Sequence, residues 1–168
     1  MILRIENFLS RKEANDIEKQ LSSDQFSWFY QDSLVSSSKD QFFFNHNMYA
    51  EGRITSYVYP IGNKIVDKIK KIPDHNFKNL AIFRIKCNLY TRQLKNLKSE
   101  KHVDSKRTHL VGIYNVNTNN GGIIIHDKKE HFIPSIKNSL VLFDGHYKHQ
   151  AVFQTDTKLR LNINFNLI

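Results

Sequence analysis

The sequence predicts a mainly β protein with N-terminal helices, in which the strands form a sandwich or jelly roll braced by two or more helices. Two N-terminal segments have apolar residues at helical spacing, whereas nearly every segment from Leu80 onward alternates between apolar and polar residues. Short strands recurring at close intervals are typical of sandwiches and jelly rolls. No repeat or linker divides the 168 residues, so a single domain over 1–168 is expected.

The first elements are a short strand and an amphipathic helix. Residues 2–5 are apolar enough for a strand. Ser10 followed by Glu13 is a capping-box pattern, which predicts a helix that begins there and ends near Leu21. The apolar residues of this helix are Ala14, Ile17 and Leu21.

The rest of the N-terminal half is predicted to contain a second helix. Residues 28–30 favour a short strand, and the polar, Ser-rich residues 32–40 favour a surface loop. A helical pattern follows and ends near Pro73, with Pro60 marking its start. Its inward positions are Ile54, Tyr57, Val58, Ile61, Ile65, Ile69 and Ile72. We therefore expect residues 1–79 to be a helical support region for a β core over 80–168.

The second half has the alternation of strands. In the first of them, Phe83, Ile85, Cys87 and Leu89 share one face, and Arg84, Lys86, Asn88 and Tyr90 share the other. Residues 91–101 are polar and basic, which predicts a mobile loop. Further strands are predicted at 102–104, 108–117, 122–126, 131–133, 139–143, 150–155 and 159–167.

The last predicted strand is apolar on one face and polar on the other. The polar face carries Arg160, Asn162, Asn164 and Asn166. An edge strand with a solvated face would give this pattern. A strand whose polar face lines a pocket would give it too, because a guanidinium near a metal is suited to holding a dicarboxylate.

A candidate metal site lies at residues 102–104. On an extended strand, His102 and Asp104 point to the same face, so an imidazole and a carboxylate can bind one cation. A second imidazole could come from His146 or His149. Two histidines and one carboxylate leave open positions on an octahedral metal, which is the arrangement of non-heme Fe(II) oxygenases.

The order of these residues carries a family resemblance. His102-x-Asp104, the distal His149 and the later Arg160 resemble the Fe(II)- and 2-oxoglutarate-dependent dioxygenase superfamily, in particular its prolyl-hydroxylase-like branch and small phage-type members. The resemblance covers roughly residues 80–168. It extends to the strand 84–90, the strand 113–117 with its Gly121-Gly122 turn, and the turn 134–138 with the strand 140–143.

The resemblance implies a double-stranded β-helix with a defined site. His102, Asp104 and His149 would bind Fe(II), and the interval to Arg160 favours His149 over His146. Arg160 would pair with the distal carboxylate of 2-oxoglutarate, with further co-substrate contacts from Tyr90, Asn115 and Asn88. The implied reaction uses O2, with ascorbate as a stimulant, converts 2-oxoglutarate to succinate and hydroxylates a C–H bond of a peptidyl, prolyl substrate.

Composition bears on partners and compartment. The resemblance to prolyl hydroxylases favours a peptide or protein substrate, and the net charge of +9 with the basic segment 92–107 leaves an acidic peptide or a nucleic acid possible as a partner. A cupin-like metal-binding module and a non-catalytic nucleic-acid-binding module are the alternatives. The single Cys87, the absence of a long apolar run and the start of the chain favour a cytoplasmic protein, or one in the host cytoplasm if viral, with no membrane association.

Overall fold

The computed structural model describes residues 1–33 and 41–168, so most of the predicted surface loop 32–40 lies outside the described residues. The helices are α1 (Arg11–Leu21) and α2 (Tyr59–Ile69). The strands are β1 (Ile2–Ile5), β2 (Phe29–Gln31), β3 (Phe43–Ala50), β4 (Arg53–Ile54), β5 (Ile82–Thr91), β6 (Leu110–Asn115), β7 (Gly122–His126), β8 (Glu130–Pro134), β9 (Ser139–Asp144), β10 (Lys148–Val152) and β11 (Leu159–Leu167).

The strands form two antiparallel sheets. The eight-stranded sheet has the order β1-β9-β6-β11-β5-β3-β2, with β4 paired to β3, and the three-stranded sheet has the order β10-β7-β8. Buried side chains of β6 and β9 pack against those of β7, which places the two sheets face to face. The predicted jelly roll with helices is confirmed.

Helix α1 begins as its capping box predicts. The Ser10 hydroxyl accepts a hydrogen bond from the Glu13 backbone N–H, and the Glu13 side chain accepts one from the Ser10 backbone N–H. This reciprocal pair satisfies two N–H groups that the first turn leaves without helical partners. Ala14, Ile17 and Leu21 are buried, as their spacing indicates.

Helix α2 is shorter than its apolar pattern predicts. Pro60 lies in the first turn, where its missing N–H costs nothing, and the helix ends at Ile69. The predicted inward positions Ile54 and Tyr57 are wrong, because both side chains are exposed and Ile54 belongs to β4. Gly62 lets the helix approach the large sheet, since a Cβ there would lie 2.9 Å from a side-chain methyl of Ile85.

The N-terminal half is more than a helical support region. The predicted strands at residues 2–5 and 28–30 are present as β1 and β2, and β3 and β4 were not predicted. Strand β3 escapes a pattern search because polar residues 45–47 interrupt its apolar alternation. It nevertheless pairs with β5 near the middle of the large sheet, so residues before 80 form part of the sheet itself.

Strand β11 lies in the interior of the large sheet, between β5 and β6, so the edge-strand interpretation is wrong. Its apolar face packs with buried residues of α1, α2 and β5. Its polar face is also buried, and it points toward the space between the two sheets. The buried polar residues are Arg160, Asn162, Asn164 and Asn166.

The segment between β5 and β6, which the sequence predicts to be a mobile loop, is in part paired with a strand. Residues 97–102 run antiparallel to β10, with hydrogen bonds from Ser99 N to Ala151 O (2.9 Å) and from Phe153 N to Leu97 O (2.9 Å). The predicted strand 102–104 is reduced to a single bridge between His102 and His149. Within the part of the chain that the structure describes, no helix is long and apolar enough to cross a membrane.

Candidate metal centre

A cavity of about 280 Å³ opens between the sheets, against the polar faces of β5 and β11. Its wall combines apolar side chains with charged and amide ones. The lining residues are Phe43, Arg84, Lys86, Asn88, Tyr90, His102, Val103, Asp104, Ile113, Ile123, His149, Ala151, Arg160, Asn162 and Asn164.

Three potential metal ligands converge in this cavity. One ligand atom each from His102, Asp104 and His149 lies within 4.8 Å of the other two. The Nε2 atoms of both histidines are 4.0 Å from Oδ1 of Asp104. Among the described residues, this is the group of histidine, cysteine and acidic side chains whose geometry suits a metal ion.

Backbone pairing brings the two histidines together. His102 N donates to His149 O (3.0 Å) and His149 N donates to His102 O (2.9 Å), so the rings stand side by side with centroids 4.6 Å apart. The Nδ1 atoms lie 3.1 Å from Glu100 O and 3.3 Å from Tyr147 O. Such backbone contacts at Nδ1 leave Nε2 of each ring available to a metal.

The electrostatic environment keeps these ligands in metal-binding form. Burial alone would raise the pKa of Asp104, but the neighbouring basic groups of His149, Lys86 and Arg84 outweigh it and hold that pKa below its usual range. Burial lowers the pKa of His149 to about 4. At neutral pH the site therefore presents a carboxylate and a neutral imidazole, the forms that bind a divalent cation.

Side chains of the large sheet hold Asp104 in place. Asn166 donates a hydrogen bond to Oδ2 (2.9 Å), and Asn164 donates a longer one to the same atom (3.4 Å). Arg84 lies 3.3 Å from Oδ1 and also donates to the Oδ1 of Asn166 (2.9 Å). The role of Arg84 was not foreseen, although strand alternation had placed it on the cavity face.

Arg160 lies deep in the same cavity. Its side chain is only 2% exposed, and its Nε and Nη1 atoms have no hydrogen-bond partner among the described residues. The guanidinium carbon lies 4.7 Å from the ring centroid of Tyr90, the residue across from it in the sheet. Burial raises the pKa of Tyr90, so its hydroxyl stays protonated and able to donate a hydrogen bond.

The remaining predicted site residues differ in placement. Asn88 lines the cavity and donates a hydrogen bond to Asn162 (2.9 Å). Asn115 does not line it, because its amide bonds instead with the hydroxyls of Ser135 and Ser139, so its predicted co-substrate contact is not supported. His146 is half exposed and pairs with Asp144 (2.9 Å), which leaves His149 as the histidine in the site.

Solved structures resemble this chain over nearly its whole length. An oxidoreductase of the 2OG-Fe(II) oxygenase family from Burkholderia pseudomallei matches with a TM-score of 0.69 and 11% identity, over 99% of this chain and 84% of that chain. The chain has the fold of the 2OG-Fe(II) oxygenases. The fold implied by the resemblance of His102, Asp104, His149 and Arg160 is thus confirmed.

Other members of this fold show that it serves more than one reaction. A prolyl hydroxylase from Trichoplax adhaerens, solved with a hypoxia inducible factor peptide fragment, matches with a TM-score of 0.68 and 16% identity, over 99% of this chain and 83% of that chain. The non-heme alpha ketoglutarate dependent epimerase SnoN from nogalamycin biosynthesis matches with a TM-score of 0.72 and 10% identity, over 99% of this chain and 77% of that chain. The sequence matches no protein-family model and no curated protein.

The cavity fits the two groups that such a fold carries. Two imidazoles and one carboxylate form the donor set that suits Fe(II), with positions left open for other ligands. The unpaired nitrogens of Arg160 fit a carboxylate, because a buried guanidinium without partners is costly unless an anion completes it. The three proposed metal ligands and Arg160 line the same cavity.

Proposed function

We propose that the protein is an Fe(II)- and 2-oxoglutarate-dependent oxygenase that hydroxylates a C–H bond. The observation that carries this proposal is the placement of His102, Asp104 and His149 in one cavity with the unpaired nitrogens of Arg160. When bound, iron and 2-oxoglutarate supply the oxidising chemistry, in which O2 is consumed, 2-oxoglutarate is decarboxylated to succinate and one oxygen atom enters the substrate.

Different side chains of the cavity would bind the metal and 2-oxoglutarate. His102, Asp104 and His149 would hold the metal, and Arg160 would hold the distal carboxylate of 2-oxoglutarate with help from the Tyr90 hydroxyl. Asn88, which lines the cavity beside Tyr90, is a further candidate contact. Ascorbate would act only by keeping the iron reduced.

The apolar part of the wall would exclude water from the reacting groups. Ile113, Ile123 and Ala151 line the cavity together with the amide and charged side chains. Replacing water by a fixed protein wall limits side reactions and strengthens the charge interactions of the site. The residues 1–168 would act as one oxygenase domain, since β1 pairs with β9 and β3 pairs with β5 across the two halves of the sequence.

A peptidyl substrate, with proline as the first residue to test, is the second part of the proposal. The prolyl hydroxylase that shares the fold was solved with a peptide, which supports this class of substrate. The exposed basic residues of the segment 92–107 would attract a peptide of acidic character. This segment is already held along β10 in part, so its outer residues are the ones left to contact a substrate.

Thermal shift with Mn(II) and 2-oxoglutarate tests the class of the protein. A ligand that binds only the native state stabilises it by RT ln(1 + [L]/Kd), about 2.7 kcal/mol at a hundredfold excess over Kd. We expect stabilisation by Mn(II) and a further increment with 2-oxoglutarate. Stabilisation by metal alone would favour a cupin-like module, and no response to either would favour a nucleic-acid-binding module.

Two histidines three residues apart provide a matched pair of variants. We expect His149→Ala to lose the stabilisation by Mn(II) and His146→Ala to keep it, because only His149 faces Asp104. Equal loss in both variants would contradict the ligand set. The reaction itself is tested by succinate formation and by a mass gain of one oxygen on proline-containing peptides supplied with iron, ascorbate and 2-oxoglutarate, beside an oligonucleotide control.

A further inference from the structure

Lys86 is a cationic side chain in the cavity that lies near enough to Asp104 to lower its pKa but binds neither group of the proposed reaction. It lies on the cavity face of β5, two positions from both Arg84 and Asn88 in the strand alternation. Its Nζ atom stands 5.9 Å from the ring centroid of Phe43. Among residues 1–33 and 41–168, its amino group donates no hydrogen bond and forms no ion pair.

The charges of the cavity wall do not balance without a further anion. Arg84, Lys86 and Arg160 are cationic, and Asp104 is the one carboxylate among the lining residues of the described chain. A divalent metal and the dianion 2-oxoglutarate cancel each other, so the loaded cavity would keep an excess of positive charge. Unbalanced charge in a partly buried site is costly, and an anion brought by the substrate would relieve it.

The sheet register separates Lys86 from Arg160. Lys86 pairs across the sheet with Asn164, whereas Arg160 pairs with Tyr90. Along β5 the positions of Lys86 and Tyr90 are about 13 Å apart, at roughly 3.3 Å per residue. The two carboxylates of 2-oxoglutarate are separated by only on the order of 6 Å, given bond lengths near 1.5 Å. A co-substrate held by Arg160 and the metal therefore leaves Lys86 available.

Unsatisfied acceptors lie on either side of Lys86. The Oδ1 atoms of Asn88 and Asn164 are buried and have no hydrogen-bond partner among the described residues. Asn88 is the next cavity-facing residue on β5, and Asn164 is the residue directly across the sheet. A group that presents an anion together with an N–H or O–H donor would complete all three side chains.

We propose that Lys86 selects a substrate that carries a carboxylate close to the carbon that is hydroxylated, with an N–H donor beside it for Asn88 or Asn164. This inference rests on the proposed function and names the substrate chemistry of the same site. An acidic residue of a peptide has both groups, and so does a free amino acid. The shared feature is the carboxylate, which pairs with the ammonium group of Lys86.

The test uses trifluoroacetate as a carboxylate probe and the bound Mn(II) as a paramagnetic centre. Fluorine relaxation of trifluoroacetate is measured on the protein of residues 1–168 with Mn(II) and saturating 2-oxoglutarate, and trifluoroethanol serves as the neutral probe. The variants are Lys86→Met, Lys86→Gln as a second neutral replacement, and Lys71→Met as a control on an exposed lysine outside the cavity. Circular dichroism and the thermal shift with Mn(II) check folding and metal binding first.

We expect faster relaxation of trifluoroacetate than of trifluoroethanol in the wild type and in Lys71→Met, and loss of the difference in both Lys86 variants. An unchanged difference in the Lys86 variants overturns the inference. So does its disappearance when 2-oxoglutarate is added, because Lys86 would then belong to the co-substrate site. Failure of Mn(II) to stabilise the wild type is a separate result, read before any probe is added, and it would overturn the proposed function as well.

Displacement of the probe identifies the source of the carboxylate. A peptide amide containing Glu-Pro is compared with its Gln-Pro analogue and with free glutamate, all in the presence of saturating 2-oxoglutarate. Displacement by the Glu-Pro peptide assigns the carboxylate to a peptide, and displacement by glutamate alone assigns it to a free acid. Equal displacement by the Gln-Pro and Glu-Pro peptides would contradict selection by charge.

Discussion

The carboxylate of Asp104 has two oxygen atoms with different neighbours. Oδ1 faces both histidines at 4.0 Å, and Oδ2 accepts the hydrogen bonds of Asn166 and Asn164. The side chain is thus anchored through one oxygen while the other is directed at the proposed metal position. Groups that orient a metal ligand commonly contribute tenfold to a hundredfold to metal affinity.

Asn166→Ala is expected to weaken Mn(II) binding by roughly tenfold to a hundredfold, although Asn166 is not itself a proposed ligand. The reason is loss of the 2.9 Å hydrogen bond that fixes Oδ2 of Asp104. Asn162→Ala is the matched control, since Asn162 lies on the same face of β11 and bonds with Asn88 instead. Titration of Mn(II) by thermal shift or electron paramagnetic resonance measures the difference, and equal losses in both variants would contradict a specific role for Asn166.

Arg160→Met is expected to weaken 2-oxoglutarate binding without lowering the stability of the metal-free protein. Affinity for 2-oxoglutarate should fall by about 2–5 kcal/mol, because one partner of a charge-assisted pair is removed. The metal-free protein should be no less stable than the wild type, since the change removes a buried guanidinium with two unpaired nitrogens.

Urea unfolding of the metal-free protein and 2-oxoglutarate titration in the presence of Mn(II) measure these two effects. Arg160→Lys keeps the charge but not the planar pair of donors, so its affinity should lie between those of the wild type and Arg160→Met. A metal-free Arg160→Met protein that is clearly less stable would indicate that stacking on Tyr90 outweighs the unpaired nitrogens.

The residue types of the site were predictable, but some of their contacts were not. His102, Asp104, His149 and Arg160 were found from their order in the chain, and the structure places them in one cavity. The contact of Arg84 with Asp104 depends on the register between β5 and β11 and on the path of the chain after residue 101. Neither is encoded in local periodicity, which is why sequence reasoning missed it.

Among the elements, those with uninterrupted patterns were predicted best. Strands β7 and β11 have the expected bounds, because β11 alternates cleanly and β7 is a short apolar run between the Gly121-Gly122 turn and the polar residues 127–130. Strand β3 was missed since its pairing with β5 overrides a weak local pattern. The edge or interior position of β11 could not be decided from its own residues, because a buried polar face and a solvated one have the same alternation.

Glu13→Gln is expected to remove a pH-dependent contribution of the Glu13 carboxylate to the free energy of unfolding. The hydrogen bond with Lys64, followed by those with Ser10, lowers the pKa of Glu13 to about 2. Since the folded-state pKa is below the unfolded value near 4.3, the stabilisation is present above about pH 4.3 and is lost as the pH falls toward 2. The partly exposed ion pair should be worth less than about 1 kcal/mol.

The measurement is the difference in unfolding free energy between wild type and Glu13→Gln across this pH range. Glutamine keeps the capping geometry and removes the charge, so the helix itself should persist. The difference should be positive near pH 6 and should vanish as the pH approaches 2. A difference that stays constant with pH would indicate that the charge of Glu13 contributes nothing and that shape alone matters.

On the scale of the whole molecule, the two halves of the sequence build one site. The C-terminal half supplies the proposed metal ligands and Arg160, and Phe43 of β3 from the N-terminal half forms part of the cavity wall. The rings of Phe43 and Tyr90 stack with centroids 5.8 Å apart, and the guanidinium of Arg160 lies over the Tyr90 ring. The residues before 80 thus shape the cavity as well as bracing the sheet.

The net charge of +9 raises the question of which basic residues attract an acidic peptide. Lys95 and Lys98 are exposed near the segment that runs along β10, whereas Lys19 and Lys71 are exposed on the helical side. Replacing either pair by glutamate changes the net charge equally. Because screening confines exposed charges to about 8 Å at physiological salt, only the pair on the segment 92–107 should affect capture of an acidic peptide that binds along that segment.

We therefore expect Lys95→Glu/Lys98→Glu to lower kcat/KM for an acidic proline-containing peptide severalfold at low salt, and Lys19→Glu/Lys71→Glu to leave it near the wild-type value. Raising salt from about 0.05 M to about 0.5 M should lower the wild-type rate and abolish the difference between the two double variants. Peptide oxidation followed by mass spectrometry measures the rates, with an oligonucleotide as the competing substrate. Equal losses in both double variants would attribute the effect to net charge, and oxidation confined to nucleobases would contradict the peptide substrate while leaving the oxygenase proposal standing.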